Sequence, residues 1–392
     1  MTGESFIDVD FRQCPKHGQR VSGDRFLTRR FKDEGRIISV LSDGLGSGVK
    51  ASVLSNLTAT MALRYTAAFM DVRQSARTIM DTLPICEERR ISYSTFTIVD
   101  LREDGHARVI EHGNPPLLLL RDAQPLPLER IEFALEKWKD RAMYYTEFQV
   151  QRGDRIVFYS DGVNQSGMGR KGFPLGWGNE NVRRFVSRHI SEHSEIPAGE
   201  LASVLTQIAL TNDNHVAKDD ITCGIIHYRC PRSLLVVTGP PFNADCDPDL
   251  ANRIRDFSGR KAICGGTTAT IVSRLLGRPV TLSLNSFNPE VPPAARMEGV
   301  DLVTEGTLTL ARAAELLEHG DDSESSRPNP ARDLVRLMLD NDVVQFLVGT
   351  RINEAHQDPS VPVELDLRRN VVRRIASVLE SRYRKNVQLQ FI

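Results

Sequence analysis

Three apolar runs far apart in this chain each end or begin on aspartate, so any fold must put those acids where a carboxylate is tolerated. Asp43 closes the run in VLSDGLGSG, Asp161 closes the run in IVFYSDGVNQSG, and Asp219 lies just before the run in KDDITCGII. Runs of this kind, rich in Ile, Val and Leu and bounded by glycine, predict strands. Carboxylates on strand ends are stiffly held oxygen ligands, and hard divalent cations such as magnesium and manganese take oxygen ligands. A fold that gathers the three ends would therefore build a cation site. Two ions at roughly 3.5–4 Å can bridge a water, lower its pKa and offset charge on phosphoryl oxygens, with no protein nucleophile required. Glycine follows both Asp43 and Asp161 and removes side-chain bulk there, which leaves the Gly44 carbonyl as a candidate ligand.

The rest of the pattern mixes strands and helices without strict alternation, which predicts α+β layers rather than a doubly wound sheet for the first part. Strands are expected at Arg36 to Ser42, Ser94 to Leu101, Arg108 to Glu111, Leu117 to Leu120, Arg155 to Ser160 and Ile221 to Tyr228. Helices are expected after Gly48, with Val53, Leu54, Leu57, Met61 and Tyr65 as the core-facing stripe, and near Asp71 to Leu83 and Leu201 to Leu210. A length of 392 residues predicts two domains. Cys230-Pro231 marks the boundary, giving domains 1–230 and 231–392. The second reads as a smaller α/β domain: a strand at Leu234 to Val237, a helix near Pro248 to Phe257, a strand at Ala262 to Cys264 and a helix from about Thr267 to Leu276. DDSESSRPNP, Asp321 to Pro330, reads as an exposed linker or loop, and Val363 to Lys385 as a helix with Leu367, Val371, Ile375, Val378 and Leu379 on its apolar side.

Composition narrows the function. A formal net charge of -1 argues against a nucleic acid partner. No apolar run is long enough to span a bilayer and the N-terminus lacks a signal-peptide stretch, so no membrane partner and a cytoplasmic location are expected. Six scattered cysteines, without CxxC pairs, read as reduced thiols.

VSGDRF, VLSDGLGSGVKAS, STFTIVDL, EHGNPPLLLLR, GDRIVFYSDGVNQSG and KDDITCGII occur in the order of a known family. Over roughly residues 16 to 229 the chain resembles the stage II sporulation E branch of the metal-dependent protein phosphatase superfamily, the protein phosphatase 2C-like enzymes. The resemblance implies a β-sandwich flanked by helices in αββα layers, with a dinuclear manganese or magnesium site at one end. It implies that Asp43 bridges both ions, Gly44 offers its carbonyl, Asp161 and Asp219 complete the direct set, and Asp24 acts through water. Asp220 either adds to the set or fixes the turn. The implied reaction is hydrolysis of phosphoserine or phosphothreonine by a hydroxide bridging two ions. Implied partners are a phosphorylated regulatory protein, a STAS-fold anti-anti-sigma factor among them, and a second copy in a homodimer, for which no heptad or exposed stripe argues. A movable helix pair after Gly48 is implied as well. His112-Gly113-Asn114 departs from the family's Gly-His-Asn, which bears on loop shape more than chemistry, and no arginine is assigned to the phosphate.

Rival readings stand beside this one. Residues 14 to 20, CPKHGQR, match the CxxxxxR spacing of cysteine phosphatases, although Pro15 removes an amide the phosphate cradle needs. Gly44 to Gly48, between a strand and a helix, imitates a dinucleotide loop and would make the chain a nucleotide-binding oxidoreductase, but Asp43 would repel pyrophosphate. A noncatalytic signalling module that keeps the fold is the third alternative. His112, Trp138 and Trp177 read as turn or packing residues. Gly265, Gly266, Thr267 and Thr268 open a helix and form a candidate anion or ligand site, with a packing turn as the plainer reading.

Overall fold

Ile37, Ile38, Val40 and Leu41 form a nearly unbroken apolar run because the strand they build is covered on both faces. Ile37 and Leu41 join one buried cluster, Ile38 and Val40 another, as the two-residue strand period requires. The computed structural model describes residues 5–68, 72–82, 94–133, 142–282, 294–320, 329–351, 361–383 and 385–392, and the elements named here are those of the described residues. Cys86 and Trp138, most of Asp321 to Pro330, and the Asp71 and Leu83 ends of one expected helix lie outside them. The chain divides into two compact units, Met1–Cys230 and Pro231–Ile392.

The first unit runs β1 (Phe6–Cys14), β2 (Asp24–Phe31), β3 (Arg36–Gly44), α1 (Gly48–Ala67), α2 (Val72–Thr82), β4 (Ser94–Arg102), β5 (His106–His112), β6 (Leu118–Arg121), β7 (Gln124–Leu126), β8 (Ile131–Phe133), β9 (Met143–Gln149), β10 (Arg155–Tyr159), α3 (Asp161–Asn164), α4 (Asn179–Glu192), α5 (Ala198–Asn212) and β11 (Ile221–Arg229). One sheet has the order β1-β11-β10-β6-β7, the other β2-β3-β4-β5-β9-β8, and the pairings are antiparallel. Between the sheets, Phe11 stacks on Phe26 and Phe26 on Phe158, with ring centroids 4.6 and 5.7 Å apart. Pairs of this kind add about 0.5–1.5 kcal/mol beyond their buried area. Gly224 lies against these rings, and a Cβ there would stand 2.4 Å from Phe26. Helices α4 and α5 cover the outer face of the first sheet through Val182, Val186, Leu201 and Leu205, and α1 and α2 cover the second through Ala59, Ala62, Ile79 and Met80. The αββα sandwich follows. A buried Arg36–Asp100 pair, Nε to Oδ1 at 2.6 Å, locks β3 to β4 at the end opposite Asp43.

Helix α1 departs from expectation. It buries Ala51, Ser55, Thr58, Ala59, Ala62, Leu63 and Thr66, while Val49, Val53 and Leu57 are 71%, 61% and 44% exposed. Small residues let the helix lie close on the sheet, so the larger aliphatics at four-residue spacing face outward, where an exposed stripe was not expected. Strands β1 and β9 were not foreseen, because FIDVDFRQC and MYYTEFQ alternate polar with apolar residues rather than forming apolar runs.

The second unit runs β12 (Ser233–Thr238), α6 (Asp247–Asp256), β13 (Arg260–Cys264), α7 (Gly266–Leu276), β14 (Thr281–Leu282), β15 (Ala295–Met297), β16 (Val300–Thr304), α8 (Thr307–His319), α9 (Pro330–Asp340), β17 (Val343–Val348), α10 (Val361–Ser381) and β18 (Asn386–Phe391). Its sheet has the order β14-β15-β16-β13-β12-β17-β18, parallel from β16 to β18. Helices α8, α9 and α10 pack on one face and α6 and α7 on the other, an α/β layering that buries both faces of a parallel sheet. Asn329 caps α9 by accepting from the Ala331 N–H at 2.9 Å, and Pro330 follows, so the end of the expected linker starts a helix. Leu367 on α10 is 49% exposed rather than on the apolar side, whereas Val371, Ile375 and Leu379 are buried. No described helix is long and apolar enough to cross a membrane.

Candidate active site

In antiparallel sheets each end collects both the starts and the finishes of strands, so acids from distant sequence meet without long connections. Asp24 opens β2 and stands opposite Asp43, the second-last residue of β3. In the facing sheet, β10 ends beside the start of β11, where Tyr159 pairs with Cys223. Ser160 stitches this junction. Its N–H donates to the Thr222 carbonyl at 3.0 Å, and its Oγ accepts from the Thr222 N–H at 3.0 Å and donates to the Asp220 carbonyl at 3.3 Å. Asp161 is thereby held next to Asp219 and Asp220.

The glycines after Asp43 and Asp161 also admit a close approach of backbone. A Cβ on Gly44 would lie 2.2 Å from the Ala51 carbonyl oxygen, and one on Gly162 would lie 2.1 Å from the Asp220 carbonyl oxygen. Their bareness admits backbone, so α1 closes on the end of β3 and the Asp161 segment closes on the Asp219–Asp220 segment. Asp220 has a structural share: its Oδ1 accepts from the Lys16 N–H at 3.0 Å, and its Oδ2 would lie 2.8 Å from a Cβ on Gly23.

The five carboxyl groups act on one another. Burial pushes the Asp24 carboxyl up to about 8, the charges of Asp220 and Asp161 add to the rise, and the Ser160 and Thr222 hydroxyls offset part of it. Both Asp24 oxygens are nevertheless buried without a completed hydrogen bond. Burial also raises Asp43 well above the usual carboxylate range, reinforced by Asp24, Asp161, Asp219 and Asp220. Asp161 is raised by burial and then by Asp219, and its contacts with Asp43 and Gln165 oppose the rise. Asp219 is raised by burial and relieved by the Asp220 N–H and by Lys16, whose Nζ stands 4.0 Å from Asp219 Oδ1 in an exposed, loose pair. Such pairs contribute little. A buried, oxygen-only, net-negative cluster with orphaned oxygens fits hard divalent cations. The aspartates are spread wider than one three-ligand cage: among the described residues, the group whose ligand atoms all lie within 4.8 Å of one another is His189, Glu192 and His193.

The rival sites fare differently. β3 has antiparallel neighbours on both sides, so Gly44 to Gly48 is not the turn of a βαβ unit and the dinucleotide-loop reading is withdrawn. Cys14 ends β1, and its thiol is pushed up by burial and by Asp220, the opposite of what a nucleophilic thiolate needs. His112 is buried against Phe96, and Trp177 packs on Phe185; both are core residues. In the second unit Gly265, with φ of 144°, caps α7 ahead of Gly266 and Thr267, and Thr268 is buried with no partner for its hydroxyl. Glu305 lies beside Gly266 and opposes an anion there. Sequence reasoning missed Gln165, which donates from Nε2 to Asp161 Oδ2 at 2.9 Å. Its place four residues after Asp161 in a helical turn was the available signal. Lys16 and Ser160 carried none.

Residues 33–229 match the family model of Stage II sporulation protein E (SpoIIE). The chain is similar to Stage II sporulation protein E of Bacillus subtilis (strain 168), at 22% identity over 222 residues, which are 56% of this chain and 25% of that protein. The match thus spans a quarter of that relative's length. Among solved structures it is similar to the PP2C phosphatase domain and regulatory-domain fragment of SpoIIE from Bacillus subtilis, with a TM-score of 0.48, 19% identity, and coverage of 58% of this chain and 65% of that one. It is similar also to the RsbU and RsbW domains of Rv1364c from Mycobacterium tuberculosis, with a TM-score of 0.47, 17% identity, and coverage of 65% and 68%. With half of its length matched by the family model, the chain belongs to the stage II sporulation protein E family, a branch of the metal-dependent protein phosphatase superfamily.

Proposed function

We propose that this chain is a divalent-cation-dependent protein phosphatase that removes phosphate from serine or threonine on a regulatory partner protein. The observation that carries the reading is the meeting of Asp24, Asp43, Asp161, Asp219 and Asp220 at one end of the sandwich, with Asp24 and Asp43 held far above ordinary carboxylate pKa values. So much negative charge in so little water calls for cations. Asp43, Asp161 and Asp219 would hold manganese or magnesium, with the Gly44 carbonyl adding an oxygen and Asp24 reaching through water. When bound, the two cations supply charge that neutralises a phosphoryl group and lowers the pKa of water. The chain's residues then fix the geometry: Gln165 orients Asp161 through its 2.9 Å hydrogen bond, and Ser160 keeps Asp161 against Asp219.

Family membership favours phosphorylated regulators as substrates, a STAS-fold anti-anti-sigma factor among them, and residues 231–392 are proposed to regulate or sense a ligand. The test is hydrolysis of a phosphoserine peptide with manganese, comparing the parent with Asp43→Asn and Asp161→Asn. Loss of turnover with an unchanged circular dichroism spectrum is the expected result. Full turnover in both folded variants would remove the assignment.

A further inference from the structure

A second cluster of ligating side chains lies on α4, and the phosphatase reading makes no use of it. His189, Glu192 and His193 stand at i, i+3 and i+4, the spacing that puts three side chains on one helical face. Their ligand atoms all lie within 4.8 Å of one another. We propose that His189, Glu192 and His193 form a site for a borderline transition cation of the zinc, nickel or cobalt class, chemically distinct from the aspartate cluster.

Several features prepare the cluster for this. The His189 ring is stacked on Phe185, with centroids 5.7 Å apart and planes 13° from parallel, and Phe185 is backed by Trp177. The His189 and His193 rings meet edge to face, with centroids 4.8 Å apart and planes 61° from parallel. A ligand fixed by core packing loses less freedom on binding than a free one. The site sits on the last turn of α4, where the aligned backbone dipoles give the helix end negative character and favour a cation. Arg155 donates to the carbonyls of Ser194 and Ile196 and so anchors the chain just beyond His193. From the first turn of α5, Glu200 adds negative charge near His189, and water completes the coordination of a bound ion. The competing contact is weak: Arg188 Nε lies 4.0 Å from Glu192 Oε1 with both side chains exposed.

Ligand type separates the two sites. Imidazole suits zinc, nickel and copper, whereas an all-oxygen set suits magnesium and manganese. The histidine cluster therefore favours zinc over magnesium more strongly than the aspartate cluster does, and excess magnesium together with the histidine variants separates the two.

The test is calorimetric titration of zinc chloride into the full chain held in millimolar magnesium, repeated with His189→Gln and with His193→Gln. Cobalt(II) spectra serve as a second readout. The expected result is one zinc per chain, at least ~10-fold weaker binding in each variant, and visible cobalt absorption that the variants lose. His193 is exposed, so His193→Gln keeps the metal-free melting temperature of the parent and isolates ligation from folding. Zinc affinity unchanged in both variants would overturn the proposal, as would displacement of zinc by magnesium, which would place the ion among the aspartates.

Discussion

The two units of this chain gather strand ends in different ways, and the residues found there differ accordingly. In the antiparallel sandwich one end collects the start of β2, the end of β3, the end of β10 and the approach to β11, and these carry Asp24, Asp43, Asp161, Asp219 and Asp220. Across the parallel strands β16, β13, β12, β17 and β18 one end collects only strand finishes, and β12, β13 and β16 close on Thr238, Cys264 and Thr304, all buried. Topology supplies a meeting place in both. Chemistry enters only through the residues that occupy it, and buried hydroxyls and a thiol pushed up to about 11 by burial do not make a site for hard cations.

Substitution at matched positions sharpens the contrast most strongly. Asp43→Asn should lower manganese-dependent turnover by more than ~100-fold, since loss of a direct ligand exceeds the cost of losing a residue behind one. Thr304→Val, at a strand end of the parallel sheet, should leave turnover within about twofold. Equal losses from the two changes would break the comparison.

Metal removal comes next in size. The folded Asp24 pKa of about 8 lies above the value near 3.9 expected for an unfolded chain. Protonation therefore supports the folded metal-free protein at low pH, and that support is lost as pH rises toward and through 8. Calorimetry of the metal-free chain should show its melting temperature falling by several degrees between pH 5 and 9. Asp24→Asn should flatten that fall, as should added manganese. A profile in which the metal-free chain is most stable at pH 9 would contradict the burial of these acids.

Close backbone approach gives a smaller effect. Gly162→Ala forces a Cβ to within 2.1 Å of the Asp220 carbonyl oxygen, and overpacking of this kind costs about 1–3 kcal/mol. The smallest difference separates the faces of α1. Ala59→Leu, against the sheet, should cost about 1–3 kcal/mol, whereas Val53→Ser on the exposed face should stay within about 0.5 kcal/mol. Urea unfolding of the variants checks both.

What was legible in the sequence follows the same physics. Strands covered on both faces, such as β3, β10 and β11, announced themselves as apolar runs, and each led to an aspartate. Strands that carry polar side chains among the apolar ones, such as β1 and β9, did not, because such a pattern is indistinguishable from irregular polar sequence in so short a window. Helix α1 was legible as a helix and misread in orientation: ranking residues by hydrophobicity favours Val53 and Leu57, whereas close packing on a sheet favours Ala51, Ala59 and Ala62. Asp43, Asp161 and Asp219 stood out as candidates because they adjoin strands. His189, Glu192 and His193 could have been found from helical spacing alone, but only once the helix end beneath them was fixed.

The most direct test of the account counts manganese on the aspartates. Manganese titrated into the full chain should, by electron paramagnetic resonance of the free ion, bind at two equivalents in the parent and be largely lost in Asp43→Asn and Asp161→Asn. Saturable binding that survives both substitutions, or none in the parent, would contradict the claim that these carboxylates converge to hold cations.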